Sequence, residues 1–402
     1  MRKIFFGIFL SLFFYLNVQA LFIKAEKDNH KAQTGYITTV KESNVQNIAF
    51  AEKNSSILYS IFRQGTQYCM SAVKLSLSVA SSSIFTNCFD SELSVGIKII
   101  KVLMSPNGSN LYLFSKHKAS AYSVSTISNK VKAKIGTETI SQNIIDVKES
   151  NSRLYVLTYK EESNNGSLII FSIQRDGSLQ KVEQQSLGYK PIAFKLYSED
   201  AGDYIYIRSK EELYKYDIAS NSEIFNSVKL LEFPANTIKD FGVKKDSDKK
   251  TLRLIVALKK GDSGINNGSL KLYMLNTSSV RLTSTVNLEL EPYKILAYNE
   301  KDMFLVAYQH SFDIRAIDIN KNLIEDELLL QRGVDGAVEN VIYKDNLTAI
   351  VSDAEAQILD QIVFTEILSL KDKAKQLLFS SNNDFIAVAN KNSIDIFEII
   401  KS

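Results

Sequence analysis

Three histidines and two cysteines carry the sharpest chemistry in this 402-residue chain. His30, His117 and His310 form no His-x-x-x-His or His-Glu-x-x-His pair, so the motif that holds a hydrolytic zinc is absent. His30 falls in a polar lead-in. His117 sits in Ser115-Lys116-His117-Lys118 and His310 in Gln309-His310-Ser311, both turn signals between strands. An imidazole there reads as a solvated surface group rather than a base or ligand. Neither Cys69 nor Cys88 has the surroundings of a catalytic thiol, and two cysteines with three histidines cannot build a zinc framework. No Gly-x-Ser-x-Gly elbow and no phosphate loop occur; Gly261-Asp262-Ser263-Gly264 reads as an inter-strand loop running to Ser269.

Two acidic groups could interest calcium: Glu199-Asp200 with Asp203, and Asp246 with Asp248. Neither has the alternating carboxylate spacing that turns successive oxygens onto one ion. Lys244, Lys245, Lys249 and Lys250 surround the second, and with Arg253, Lys259 and Lys260 they read as an exposed, charge-interleaved hairpin. The chain therefore assigns no catalytic, cofactor-binding or metal residue, and no cofactor is expected. Lys and Arg number 48 against 45 Asp and Glu, a balance that argues against nucleic acid as a partner.

The N-terminus reads as an export signal. Arg2 and Lys3 precede an apolar run from Ile4 to Leu16, and Val18-Gln19-Ala20 has the small residues of a cleavage site after Ala20. The rival is an uncleaved anchor extended through Leu21-Phe22-Ile23, about the ~20 residues a bilayer needs. The division expected is a signal peptide at 1–20, a polar lead-in at 21–33 and one domain at 34–402. No later stretch would span a membrane, so the product is secreted or extracytoplasmic. Export places Cys69 and Cys88 in an oxidising compartment, where one bridge would close a loop of about twenty residues. Asn-x-Ser/Thr sequons at Asn54, Asn107, Asn165, Asn267, Asn276 and Asn346 say little in a chain so rich in these residues.

What would position any site is a repeat. Residues 102–124 run Val102-Leu103-Met104, a turn Ser105-Pro106-Asn107-Gly108, Leu111-Tyr112-Leu113-Phe114 and Ala121-Tyr122-Ser123-Val124. Residues 377–399 repeat that order, with the turn at Ser380-Ser381-Asn382-Asn383. Further copies lie at 144–173, 192–218, 241–275 and 295–319; 48–62 opens another and 338–373 a weaker one. Their mean spacing of roughly 47 residues is that of propeller blades. A small twisted sheet cannot bury both faces alone, and stacking such sheets about an axis buries them. The fold expected is all-β: a β-propeller of seven to eight four-stranded antiparallel blades. The last unit has room for three strands, so Gly35–Val40 would complete it and close the ring. The 338–373 unit leaves the count open, because Ser352-Asp353-Ala354-Glu355 has the form of a helix capping box, with Ala356, Leu359, Ile362 and Val363 on one face.

These repeats resemble secreted β-propellers of the YVTN/lactonase-like and WD40-like superfamily. Ser105-Pro106-Asn107-Gly108 with Leu111-Tyr112-Leu113 is similar to the turn and strand of those proteins, and Asn165-Gly166-Ser167-Leu168 followed by Asp176-Gly177-Ser178-Leu179 to the lactonase branch. The Gly-His and Trp-Asp marks of WD40 repeats are missing, and no lactonase catalytic residue maps onto this chain. The expectation is a non-enzymatic module that binds another protein through its loop faces. The alternatives are a lactonase-like hydrolase using channel-mouth carboxylates with a divalent cation, and a binder of carbohydrate or another small ligand. A lysine-lined channel beside an apolar patch would favour the protein binder; converging carboxylates would favour the enzyme.

Overall fold

Second strands such as Asn110–Ser115 and Arg153–Lys160 are almost continuously apolar, which suits a strand covered on both faces. The structure, a computed structural model, describes residues 33–41, 44–51, 54–65, 67–75, 84–89, 99–105, 107–125, 130–150, 152–199, 202–219, 224–234, 236–246, 251–259, 267–275, 279–298, 301–360, 365–371, 373–382 and 384–400. The leader, the Ala20 cleavage site, His30 and the Gly261-Asp262-Ser263-Gly264 segment lie outside these residues.

The strands form eight four-stranded antiparallel sheets. Blade 1 runs from an inner strand, Val45–Ala51, to an outer one, Ile84–Phe89; blade 2 from Ile99–Met104 to Val131–Thr139; blade 3 from Asn143–Ser150 to Leu179–Ser186; and blade 4 from Ala193–Glu199 to Ile224–Glu232. Blade 5 runs from Thr237–Lys245 to Val280–Leu288, blade 6 from Lys294–Ala297 to Leu323–Gly333 and blade 7 from Val338–Lys344 to Thr365–Leu370. Blade 8 starts at Gln376–Phe379 and takes its outer strand, Gln33–Lys41, from the N-terminal end of the described chain. That strand pairs antiparallel with Ser393–Ile400, so the expected closure is present. It removes an open edge and ties the two ends of the ring.

The count is eight. The 338–373 unit is a blade, as its place in the repeat requires, and not the helix that Ser352–Glu355 offered as the alternative: those residues turn between strands Leu347–Ser352 and Ala356–Asp360 of blade 7. Ser352 Oγ accepts the Glu355 N–H at 2.8 Å, as a cap would, but the chain reverses instead of winding. Ala356 and Leu359 belong to the strand; Ile362 and Val363 lie outside the described residues.

There is no single core. Eight apolar clusters each draw on two adjacent blades. Alternation makes this happen: Leu111 and Leu113 face blade 1, whereas Tyr112 and Phe114 of the same strand face blade 3. The repeat turns are also alike. Ser105 Oγ accepts the Asn110 N–H and Ser380 Oγ the Phe385 N–H, each at 2.9 Å.

The outer strands were not legible from the repeat. Sequences such as Leu179–Ser186 are polar, with burial confined mainly to the first residue. Their charges blunt an edge that would otherwise template aggregation. Cys69 and Cys88 face each other on the third and outer strands of blade 1 and form a disulfide. Among the described residues no helix is long and apolar enough to cross a membrane.

Candidate functional site: the channel neck and the connection face

Each inner strand has one edge without a neighbouring strand, so its backbone groups need other partners. Near the start of this strand, blades 1, 2, 3, 5 and 7 carry a bulge, at Val45/Asn47, Ile99/Lys101, Ile144/Asp146, Ile238/Asp240 and Val338/Asn340. A bulge adds one residue and re-aims the side chains that follow. The residue just past it is polar each time, giving a neck of Asn47, Lys101, Asp146, Asp240 and Asn340, with Lys294 and Gln376 opening the inner strands of blades 6 and 8.

Most of these side chains hold backbone. Asp240 Oδ2 accepts the Ile295 N–H of blade 6 at 2.9 Å. Gln376 clamps blade 1 to blade 8: Oε1 accepts the Ile48 N–H at 2.9 Å and Nε2 donates to the Ile48 carbonyl at 3.1 Å. Asp146 and Asn340 accept the amide of the next residue at 2.8 and 2.9 Å. Nearby cations take carbonyls: Lys195 Nζ donates to Ile295 O at 3.0 Å, Arg208 Nη1 to Ile238 O at 2.8 Å and Lys375 Nζ to Val45 O at 3.0 Å.

The neck is basic although the chain is close to neutral. Lys101, Lys148, Lys195, Arg208 and Lys294 act on one another or on the two neck carboxylates, Asp146 and Asp240. Asp146 pairs with Lys148 at 3.3 Å and Asp240 with Lys195 at 3.4 Å. Burial pulls the Lys101 amine below the usual lysine range, Asp146 opposes that fall and Lys148 adds to it. The carboxylates are thus engaged by cations and backbone rather than converging on one point. Among the described residues no group of His, Cys, Asp and Glu could hold a metal ion.

One face of the ring carries the crossings from outer to next inner strand together with the turns between second and third strands; it is called the connection face below. His117 and His310 occupy equivalent turns here, in blades 2 and 6. Both are exposed, as expected, but each reaches the following crossing: His117 Nδ1 lies 3.4 Å from Gln142 O and His310 Nδ1 2.7 Å from Gly336 O. Asn165 and Asn267 are also used: Asn165 Oδ1 accepts the Gly188 N–H at 2.8 Å, and Asn267 Nδ2 donates to Glu289 O at 3.1 Å.

On the same face, Ile192, Leu290 and Tyr293 stand exposed in the crossings out of blades 3 and 5, by 37%, 48% and 43%. Lys239 Nζ and Lys294 Nζ lie 5.9 and 5.8 Å from the Tyr293 ring centre. Glu291 joins Lys239 and Lys259 at 2.7 and 3.0 Å. Burial raises its pKa, but the two ammonium groups outweigh that, and its carboxyl titrates below the usual range.

Of the carboxylates singled out for calcium, Asp203 and Asp246 are occupied by protein. Asp203 is fully buried; Tyr155 donates to it, Ser150 Oγ lies at 3.2 Å and Arg153 Nη1 at 3.7 Å, all three from blade 3. Glu199 sits at the end of its strand, and Asp200 and Asp248 lie outside the described residues. The exposed-hairpin reading of the basic stretch is corrected for three residues. Asp246 and Arg253 form a buried pair with Nε–O distances of 2.6 and 2.8 Å, and buried Lys244 donates to Asp302 Oδ1 at 2.8 Å and Lys301 O at 2.9 Å. The cause is the neighbouring blade, which covers this hairpin and supplies Asp302.

No known protein family matches the chain, and no curated protein matches it in sequence. Solved structures do match in shape. The Dos1 propeller aligns with a TM-score of 0.57 at 10% identity, over 93% of this chain and 96% of its own. BamB from Moraxella catarrhalis aligns at 0.55 and 13%, over 91% and 97%; the WD40 domain of SCAP from fission yeast aligns at 0.54 and 12%, over 92% and 98%. At such identities the likeness concerns the fold.

Proposed function

We propose that this propeller is an exported, non-enzymatic module that binds another protein on the connection face of blades 3 to 6. One observation carries the reading. Of the large apolar side chains exposed among the described residues, all but Ile400 fall between residues 182 and 329, and Ile192, Leu290 and Tyr293 share the connection face. Exposed apolar side chains set among charged ones on one face are the usual footprint of a protein partner. The lysine-rich neck beside it favours a segment bearing carboxylates as well as an apolar anchor. The export signal in the sequence and the Cys69–Cys88 bridge support action outside the cytosol.

The test is affinity capture from the natural host with wild type, a Leu290→Ser/Tyr293→Ser variant and Ile400→Ser as a control on a different part of the surface. A partner retained by wild type and the control, and reduced about tenfold by the double variant, is the expected result. Equal capture by all three removes the patch from the reading. Turnover of lactones or esters that a chelator abolishes would replace it with the hydrolase.

A further inference from the structure

Lys101 takes no part in the backbone clamps that four other neck side chains make. Asp146, Asp240, Asn340 and Gln376 each hold a backbone amide at the neck, whereas among the described residues Lys101 makes no hydrogen bond or ion pair. An amine held half-buried without a partner is unfavourable unless something else answers it. Lys101 also lines a cleft of ≈ 310 Å³ between the inner strands of blades 1, 2 and 8. Phe50, Leu103 and Leu378, one from each of these blades, line its wall and are only partly buried. Lys101 and Gln376 mark one end, and Glu149 and Lys344, near the ends of their strands, mark the other.

We propose that this cleft binds a small aliphatic monocarboxylate, with the carboxylate on Lys101 Nζ and the hydrocarbon chain along Phe50, Leu103 and Leu378. The cleft lies at the small end of ligand pockets, which suits an acid of about six to ten carbons. Burial that lowers the Lys101 pKa is relieved when an anion arrives, because the charge then gains a hydrogen-bonded partner. This cleft lies on blades 1, 2 and 8, away from Ile192, Leu290 and Tyr293, and shares only the neck with the partner surface proposed above; either assignment stands without the other.

Isothermal titration of the purified protein with sodium octanoate, 1-octanol and octylamine tests it. Octanoate saturates one site per chain; octanol and octylamine bind at least about tenfold more weakly, and shortening the acid by two carbons costs about tenfold. Lys101→Met weakens octanoate about tenfold, leaves octanol unchanged and melts with wild type, because Lys101 bonds nothing within the described fold; Lys101→Arg restores binding. The three wild-type titrations decide the matter even if a variant fails to fold. No saturation by octanoate below about 10 mM, equal affinity for octanol, or an unaffected Lys101→Met protein overturns the proposal.

Discussion

Replacing Gly166 by alanine is expected to destabilise the ring by about 2 kcal/mol, and the reason is visible at one contact. Gly166 opens the third strand of blade 3, where the crossing to blade 4 runs over it. A Cβ at this position would stand 2.7 Å from the Thr158 carbonyl oxygen and would also strike the Pro191 ring. The residue cannot withdraw, because its N–H donates to Tyr189 O at 3.0 Å and its carbonyl accepts the Leu187 N–H at 3.0 Å. Blade 5 repeats the arrangement: a Cβ on Gly268 would meet Leu258 O at 3.0 Å, Leu290 O at 3.2 Å and the Pro292 ring. Overpacking of this kind costs roughly 1–3 kcal/mol. Unfolding entropy of ~2.1 cal/mol/K per residue over a ring of this size converts each kcal/mol into roughly 1.3 °C of Tm. Gly166→Ala should therefore melt about 1–4 °C below wild type in scanning calorimetry. Gly136→Ala is the control. Its Cβ would meet nothing within 4 Å and its φ lies outside the left-handed region, so it should be neutral or up to about 1 kcal/mol stabilising. If Gly166→Ala melts with wild type while Gly136→Ala falls, the close approach of crossing and strand is not what holds these blades together.

Two further outcomes can be measured on stability alone. The Cys69–Cys88 bridge, at a sequence separation of 19, is worth about 3 kcal/mol in the chain-entropy model, so Cys69→Ser/Cys88→Ser should lower the unfolding free energy by that amount, seen as a lower denaturant midpoint; an unchanged midpoint refutes it. Glu355 is fully buried at the turn of blade 7; burial raises its pKa, but Lys371 at 2.6 Å, the Asp335 N–H at 2.7 Å and Gln357 at 2.6 Å together bring it below the usual range. A carboxylate lowered in the folded state contributes stability above its unfolded value of about 4.3 and loses it as pH falls through the folded value. Between about pH 5 and about pH 3 wild type should thus lose more Tm than Glu355→Gln, and parallel curves would show that the contact is neutral.

Much of the architecture was written in local pattern. The second strands are legible because both faces are buried, so every position from Leu154 to Leu157 must be apolar. The serine turns at Ser105 and Ser380 are legible because the side chain bonds the backbone five residues on. Ring closure followed from an incomplete last unit and an unassigned strand-like segment ahead of the first. The outer strands escaped because one face meets water and imposes no apolar run. Ser352–Glu355 was ambiguous because the same side-chain-to-amide bonds cap a helix or tighten a hairpin, and only the neighbouring strands decide between them.

Unaided, the order of residues determined an all-β ring of like sheets, its self-closure and the nearness of two cysteines. The candidate site was decided by the ring itself. Arg153 of blade 3 meets Asp203 of blade 4, Gln376 of blade 8 meets Ile48 of blade 1, and Lys244 of blade 5 meets Asp302 of blade 6. Asp203 and Lys244, which read as solvated turn charges, became buried because their partners lie on an adjacent blade, remote along the chain, whereas Asp246 pairs with Arg253 of its own blade. Short-range pattern records which faces must be dry, but not which polar groups from different blades will share them.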